Sequence, residues 1–418
     1  MADDRRITMP SEAELQAAID ALKKSKPELG VLRVCAMLRE SNPTWQLGEK
    51  RVRKFMSTMG LIQTDPSSAN TTGKAAETVP KSFLAPGDFV RTVGKGQVEV
   101  KYINGTKGKG VFAVGDFAEK TQVFEETPFA WYPRWDTVSN TYHTKGNDEC
   151  QLCARTIHRS GYSARDLLRP VKCNRCSAWF CSNVCRKEAD ARFHQIECAK
   201  SNPHFAPLAQ ACLEWSWGAP MAAARAIERV LLEFEQSAER GKLAWESIKA
   251  FATVRADVMD KRRKGASWFL YEQDYEHKWA TTHELMKRAL CPPPDACGLT
   301  QFDRIPKKIF NEMFSYNEWL GLIGKYSLND QNGGFYLLQS CFNHSCDPNC
   351  VVMHPNDGMY RAIIKTLRPI KAGEEMLISY VNPRDNLAAR QQALREWYMF
   401  DCNCGRCQKE VAAVAGSA

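Results

Sequence analysis

Near the start of the chain the apolar residues recur at helical spacing. Leu15, Ile19 and Leu22 share one face behind Ser11 and Glu14, which stand three apart as a capping box requires, so a helix is predicted over 11–24. A second helix is predicted over 31–39. A third, over 47–59, sets Val52, Phe55 and Met56 on one side and Lys50, Arg51, Arg53 and Lys54 on the other. Three such helices define a small helical N-terminal domain, residues 1–62. Residues 63–87 carry much Ser, Thr, Ala, Pro and Lys and little apolar content, the composition of a flexible linker.

Beyond the linker the period changes. Phe89–Val93 reads as a short strand, and 98–102 alternates as a half-buried strand does. Lys107-Gly108-Lys109-Gly110 forms a glycine-bearing turn leading into an apolar strand at Val111. A helical pattern then fills 207–290, strands return at 359–365 and 375–380, and a last helix is predicted over 387–398. The expected class is α+β: a β-rich domain interrupted by a helical insertion.

At 418 residues the chain has room for more than one folded unit. Its formal net charge of +9 favours acidic or nucleic-acid-associated partners, and the basic face of the third helix is the candidate for chromatin or nucleic-acid contact. An apolar run of about 18 residues is absent and Met1–Arg6 leads into a polar segment, so the expectation is a soluble intracellular protein with no membrane partner.

There are 17 cysteines, most of them in short pairs. In a protein without a secretion signal, such pairs are metal sites rather than disulfides. Cys150, Cys153, Cys173, Cys176, Cys181, Cys185, His194 and Cys198 supply eight closely spaced ligands, enough for two tetrahedral zinc ions with no open coordination position. Cys402, Cys404 and Cys407 supply three more, one short of a third site. Cys35, Cys212, Cys291, Cys297, Cys341 and Cys350 are read as ordinary buried thiols, the last two as possible neighbours of a site.

The dozen residues from Leu338 to Asn349 contain Asn343-His344-Ser345-Cys346-Asp347-Pro348-Asn349, which resembles the NHSC-x-PN signature of SET domains. Gly373 to Tyr380 resembles the motif that closes that domain. The cysteine series resembles a MYND zinc finger, with a longer gap than usual between Cys153 and Cys173, and the order of motifs is similar to the SET-and-MYND protein lysine methyltransferases. That resemblance implies a split SET domain over 88–381, a MYND finger over 150–198, a helical insertion over 205–325 and a post-SET zinc segment over 382–410.

It further implies interleaved ligation, with Cys150, Cys153, Cys181 and Cys185 on one zinc and Cys173, Cys176, His194 and Cys198 on the other. Cys346 would be the fourth ligand of the tail site. S-adenosylmethionine would meet Lys107, Gly108, Lys109 and Gly110 at the first turn and Asn343 and His344 at the second, with Ser340, Asn329, Tyr380 and Phe400 nearby. Tyr380 would be the catalytic tyrosine, orienting the amine, and Tyr398 and Phe400 would complete the lysine channel. The chemistry suits these residue types: a lysine that titrates near ~10.4 must be desolvated and lose its proton before it can attack a sulfonium methyl, and aromatic walls favour both.

The Leu338-Gln339-Ser340-Cys341 lead-in and the basic N-terminal helices are similar to the fungal "SET protein five" group, which implies a histone lysine methyltransferase acting on histone four, in the nucleus on the chromosome and in the cytoplasm. A nonhistone substrate such as a ribosomal protein, or a non-enzymatic peptide-binding adaptor built on the finger, are the alternatives.

Overall fold

The computed structural model describes residues 10–26, 31–45, 47, 51–52, 55–56, 59, 80–87, 89–132, 150–153, 155, 157, 169–215, 217–263, 275–291, 302–355 and 361–415. The chain divides into two compact units, 1–74 and 75–418.

In the first unit the capping box closes both ways. The Glu14 amide donates to Ser11 Oγ at 3.3 Å and the Ser11 amide to Glu14 Oε2 at 2.7 Å, starting a helix over Glu12–Ser25. A second helix spans Val31–Ser41. Leu15, Ile19, Val34, Leu38, Leu47, Val52 and Met56 meet in a small core. Of the expected basic face, Arg51 donates to the Pro10 carbonyl at 2.7 Å, while Lys50, Arg53 and Lys54 lie outside the described residues.

The second unit is built on short strands. A four-stranded sheet runs β1 (Val98–Asn104), β2 (Gly108–Ala113), β11 (Glu375–Ile378), β8 (Asn343–His344). A three-stranded sheet runs β3 (Gln122–Glu126), β10 (Ala362–Thr366), β9 (Cys350–Met353). Two ribbons pair β4 (Ala130–Trp131) with β7 (Gly334–Phe335) and β5 (Val171–Lys172) with β6 (Trp179–Phe180). Val111, Phe124, Ile364, Met376 and Phe342 form the core of the sheets.

Beta-prone composition misleads at Phe89–Val93, which is a helix rather than the expected strand. Phe89, Val90 and Val93 pack against the sheet core, and the Gly94 amide closes the turn on the Val90 carbonyl at 2.8 Å. Burial on one helical face outweighs the preference of β-branched residues for strands.

The helical stretch contains Ala206–Glu214, Ala219–Gln236, Ala238–Lys249, Ala256–Arg263 and Tyr275–Leu290, followed by Lys307–Met313 and Tyr316–Asn329. Ala219–Gln236 is its centre and is buried on nearly every side. Its run Ala222-Ala223-Ala224 lets neighbouring backbones approach closely, and Ile227, Val230 and Leu231 fill the space beyond.

Residues 63–79 of the expected linker are outside the described residues, but its end is held in place. Lys81 and Thr253 exchange backbone hydrogen bonds at 3.1 and 2.9 Å, and the Phe83 amide reaches the Ala250 carbonyl at 3.2 Å. The expected closing helix is Leu387–Ala393, which widens into a π-helical turn over Leu394–Tyr398.

Candidate active site and metal centres

Strand β2 brings the site together. Its first residues continue the 107–110 turn, and β11 lies antiparallel beside it, Glu375 opposite Phe112 and Met376 opposite Val111. On its other edge β11 runs parallel to β8, pairing Leu377 with Asn343 and Ile378 with His344. Residues far apart in the chain therefore meet at one sheet edge, and Tyr380 follows directly from β11.

The glycine turn is closely packed. Gly108 sits at φ +68°, a left-handed backbone conformation that favours glycine. A Cβ on Gly110 would lie 2.7 Å from Ile103 Cδ1, 2.9 Å from Glu375 Oε1 and 3.1 Å from Asn343 Nδ2. Asn343 Nδ2 donates to the Lys109 carbonyl at 2.9 Å and to Glu375 Oε1 at 2.8 Å, tying the two motifs together. The Lys107 ammonium stands 3.4 Å from Glu375 Oε2. Lys109 is buried, donating to the Ala250 carbonyl at 2.9 Å and lying 5.7 Å over the Phe251 ring.

Asn329 and Ser340 are less direct. Asn329 Nδ2 holds the carbonyls of Ala252 and Lys325 at 2.8 and 2.7 Å, so its link to the turn runs through the 250–253 loop that also receives Lys109. Ser340 Oγ donates to the Leu337 carbonyl at 3.3 Å. Cys341 and Cys350 are buried thiols outside every metal group, and Cys297 lies outside the described residues.

Four rings converge next to this junction. Tyr380 and Tyr398 have centroids 4.7 Å apart, His344 lies 5.3 Å from Tyr380 and 6.0 Å from Phe400, and Phe400 meets Tyr380 edge-on at 6.5 Å. The Tyr380 hydroxyl donates to the Phe342 carbonyl at 2.6 Å, and the Tyr398 hydroxyl to the Tyr380 carbonyl at 3.3 Å. Burial, then the neighbouring Tyr398, pushes the Tyr380 phenol well above its ordinary pKa, so it stays a neutral donor.

His344 is pinned on both sides. Its Nδ1 accepts from the Tyr380 amide at 3.0 Å, which leaves the proton of the neutral ring on Nε2, 3.3 Å from Cys346 Sγ. Burial and then the Arg390 charge press its pKa down to about 4, keeping the ring uncharged.

Among the described residues, ligand-bearing side chains collect in three groups whose donor atoms all lie within 4.8 Å of one another: Cys150, Cys153, Cys181 and Cys185; Cys173, Cys176, His194 and Cys198; Cys346, Cys402, Cys404 and Cys407. Sulfur separations run from 3.4 Å for Cys181–Cys185 through 3.5 Å for Cys407–Cys346 to 4.0 Å for Cys346–Cys402. A tetrahedron of ~2.3 Å zinc–sulfur bonds has edges of about 3.8 Å, whereas a disulfide would need about 2.05 Å, so the donor sets fit zinc.

Local structure explains the placement. Ser182 caps the helix Asn183–Ala189 by accepting from the Cys185 amide at 3.2 Å, which fixes the Cys181–Cys185 pair. A π-helical turn over Asp190–His194 then aims His194, and the Cys198 amide returns to the His194 carbonyl at 3.0 Å. In the tail, Met399 in the left-handed region (φ 66°) ends the π-helical turn and redirects the chain into Phe400 and Cys402.

Two buried charged residues were not singled out by the motifs. Glu126 accepts from the amides of Leu338 and Gln339, both at 2.9 Å, and so holds the lead-in to the signature; burial raises its pKa to about 7. Arg390 is fully buried beneath the tail group, its Nη2 4.0 Å from Cys407 Sγ and 2.6 Å from Glu410 Oε2. Burial opposes its charge, but Glu410, Cys346 and Cys407 more than offset this, and its pKa is raised. Neither residue lies in a spacing pattern. An isolated acidic or basic residue in a strand or helix gives no sign of its burial.

With the parallel β8–β11 junction and the ring cluster in place, the class follows: the chain belongs to the SET domain family, which it matches over residues 108–381. Its curated relatives include the fungal proteins named histone-lysine N-methyltransferase SET5. That of Scheffersomyces stipitis is 26% identical across 96% of this chain and 82% of its own length. That of Yarrowia lipolytica is 27% identical across 96% and 83%, and that of Mycosarcoma maydis 25% across 98% and 89%. A solved structure, the SET domain of LSMT bound to lysine and AdoHcy, aligns with 75% of this chain and 55% of that one at 11% identity; its TM-score of 0.37 is too low to carry an argument.

Proposed function

We propose that this SET-domain chain is an S-adenosylmethionine-dependent lysine N-methyltransferase acting on histones in the nucleus. The observation that carries the reading is the packing of Tyr380, Tyr398, Phe400 and His344 beside the Asn343–Lys109 junction. The SET5 relatives, matched along most of their length, support the histone substrate.

S-adenosylmethionine, when bound, supplies a methyl group on a sulfonium with a good leaving group. Gly110, lacking a Cβ, lets Ile103, Glu375 and Asn343 close on the turn, and Asn343, with its amide nitrogen already held by two acceptors, presents its oxygen to the space the ligand would take. The turn 107–110 and His344 border the same space. Tyr380, Tyr398 and Phe400 form the lysine channel, where desolvation lowers the amine's pKa and the ring faces accept the cationic substrate and product. Tyr380 acts as a positioned neutral donor and not as a base, because burial keeps its proton on. Alignment of amine and methyl supplies most of the acceleration.

We infer zinc in all three groups, in closed sites without a catalytic role. The first two are paired alternately along the chain, which supports a MYND-type finger. The third places Phe400 and Tyr398 against Tyr380.

The test is transfer of labelled methyl from S-adenosylmethionine to a mixture of core histones by the full chain. Wild type should label a histone, and Tyr380→Phe should lose roughly 100-fold or more in kcat while still binding the donor. Absence of label with wild type, or full activity in Tyr380→Phe, would sink the reading.

A further inference from the structure

The tail group is held by more than its four sulfurs. The helix Leu387–Ala393 reaches two of the ligands from consecutive positions: Arg390 stands 4.0 Å from Cys407 Sγ, and Gln391 exchanges hydrogen bonds with the Cys402 backbone, donating to its carbonyl at 2.6 Å and accepting from its amide at 3.0 Å. Arg390 also donates to the Asp385 carbonyl. Glu410 receives Arg390 on one oxygen at 2.6 Å and Arg406 on the other at 2.7 Å. Arg406 in turn donates to the carbonyls of Cys346, at 3.0 Å, and Pro383, at 2.7 Å.

The charges of this arrangement are complementary. Four thiolates around one divalent ion carry a net charge of about −2, which is costly beneath a hydrophobic layer of Leu394, Leu387 and Val381. Arg390, Glu410 and Arg406 together contribute one net positive charge, and Arg390, completely buried, brings it next to the sulfurs. The same helix continues into Tyr398, so what holds the metal also holds a wall of the lysine channel.

We infer that Arg390, Glu410 and Arg406 form an outer clamp that sets zinc retention at the tail group and, through Tyr398 and Phe400, the geometry of the methyl-transfer site; this rests on the reading of that group as a zinc site. They are positioning residues: none belongs to the ring cluster around Tyr380. Groups that orient metal ligands from outside typically change metal affinity by ~10–100-fold when altered. Lysine at 390 keeps the charge but cannot hold the Asp385 carbonyl with one nitrogen and Cys407 and Glu410 with another, as the arginine fork does.

The experiment is zinc release from the full chain into a chromogenic chelator, with total zinc measured by elemental analysis, for wild type, Arg390→Lys and Glu410→Gln. Wild type should hold three ions. In both variants one ion should leave ~10–100-fold faster and two at the wild-type rate, with kcat falling in step with loss of that one ion. The two remaining ions report that the finger is still folded. If burial of lysine at 390 unfolds the chain, Glu410→Gln decides, because Glu410 is partly exposed. Three ions in wild type and unaltered release in Glu410→Gln would overturn the clamp alone. Two ions in wild type would overturn both the clamp and the zinc reading of the tail group.

Discussion

Several side chains at the site are held in one protonation state by their surroundings. Glu126 is the exception: burial raises its pKa from 4.5 to about 7, so it changes protonation state near neutral pH. The folded chain binds this proton more tightly than the unfolded one, so Glu126 contributes stability that is complete below about pH 4.5 and is lost as pH rises through about 7. The stability difference between wild type and Glu126→Gln should therefore shift by up to ~2 kcal/mol against wild type between about pH 5.5 and 8, read from urea midpoints. A flat difference would mean that Glu126 is ionised throughout.

Gly110 is packed against side chains from both motifs. A methyl group there would press on Glu375 Oε1 and Asn343 Nδ2, whose hydrogen bond joins the two motifs. Gly110→Ala should weaken S-adenosylmethionine binding about 10-fold, the worth of one hydrogen bond, with little change in melting temperature. Calorimetric titration of donor into the variant is the check.

At the level of elements, the tail segment links the Cys346 ligand group to the ring cluster around Tyr380. The helix Leu387–Ala393, its π-helical extension and the left-handed Met399 deliver Tyr398, Phe400 and Cys402 in sequence, and Cys346 ties that path to β8. Cys404→Ser should cost the tail ion, and with it methyl transfer by ~100-fold or more, as Tyr398 and Phe400 lose their seat. Elemental analysis should still find two zinc ions in the eight-ligand finger. Full activity in the variant would show that the rings hold their place without the metal.

For the molecule as a whole, the cysteine-rich segment 150–198 is fastened to the helix Ala219–Gln236 by a buried charge. Arg225 donates to Glu197 at 2.6 and 3.0 Å and to the Trp131 carbonyl at 2.8 Å, while its guanidinium lies 3.8 Å from the Phe193 ring centre. Glu228 is buried beside this pair, and burial, then the neighbouring Glu197, raises its carboxyl pKa well above the ordinary value. Removing the arginine strands Glu197 without its partner, so Arg225→Ala should destabilise the second unit by ~3–5 kcal/mol, seen as an earlier thermal transition. A surface-sized effect, below about 1 kcal/mol, would show that the cysteine-rich segment is fastened elsewhere.

The sequence alone determined whatever depends on spacing: the capping box at Ser11, the alternation of 98–102, the two-residue gaps of the cysteine pairs and the two signature motifs. These are local properties, set by helix and strand periods and by the reach of a ligand pair around one ion. Tertiary structure alone decided the rest. It turned Phe89–Val93 into a helix by giving it an apolar face to bury, anchored residues 81–83 through a bridge to Thr253, and laid β8 parallel to β11 so that Asn343 meets Lys109 and Tyr380 meets His344. It also buried Glu126, Arg225 and Arg390, whose partners lie at positions no periodicity predicts. Contacts between distant segments follow from how elements pack, and packing is a property of the whole chain rather than of any window along it.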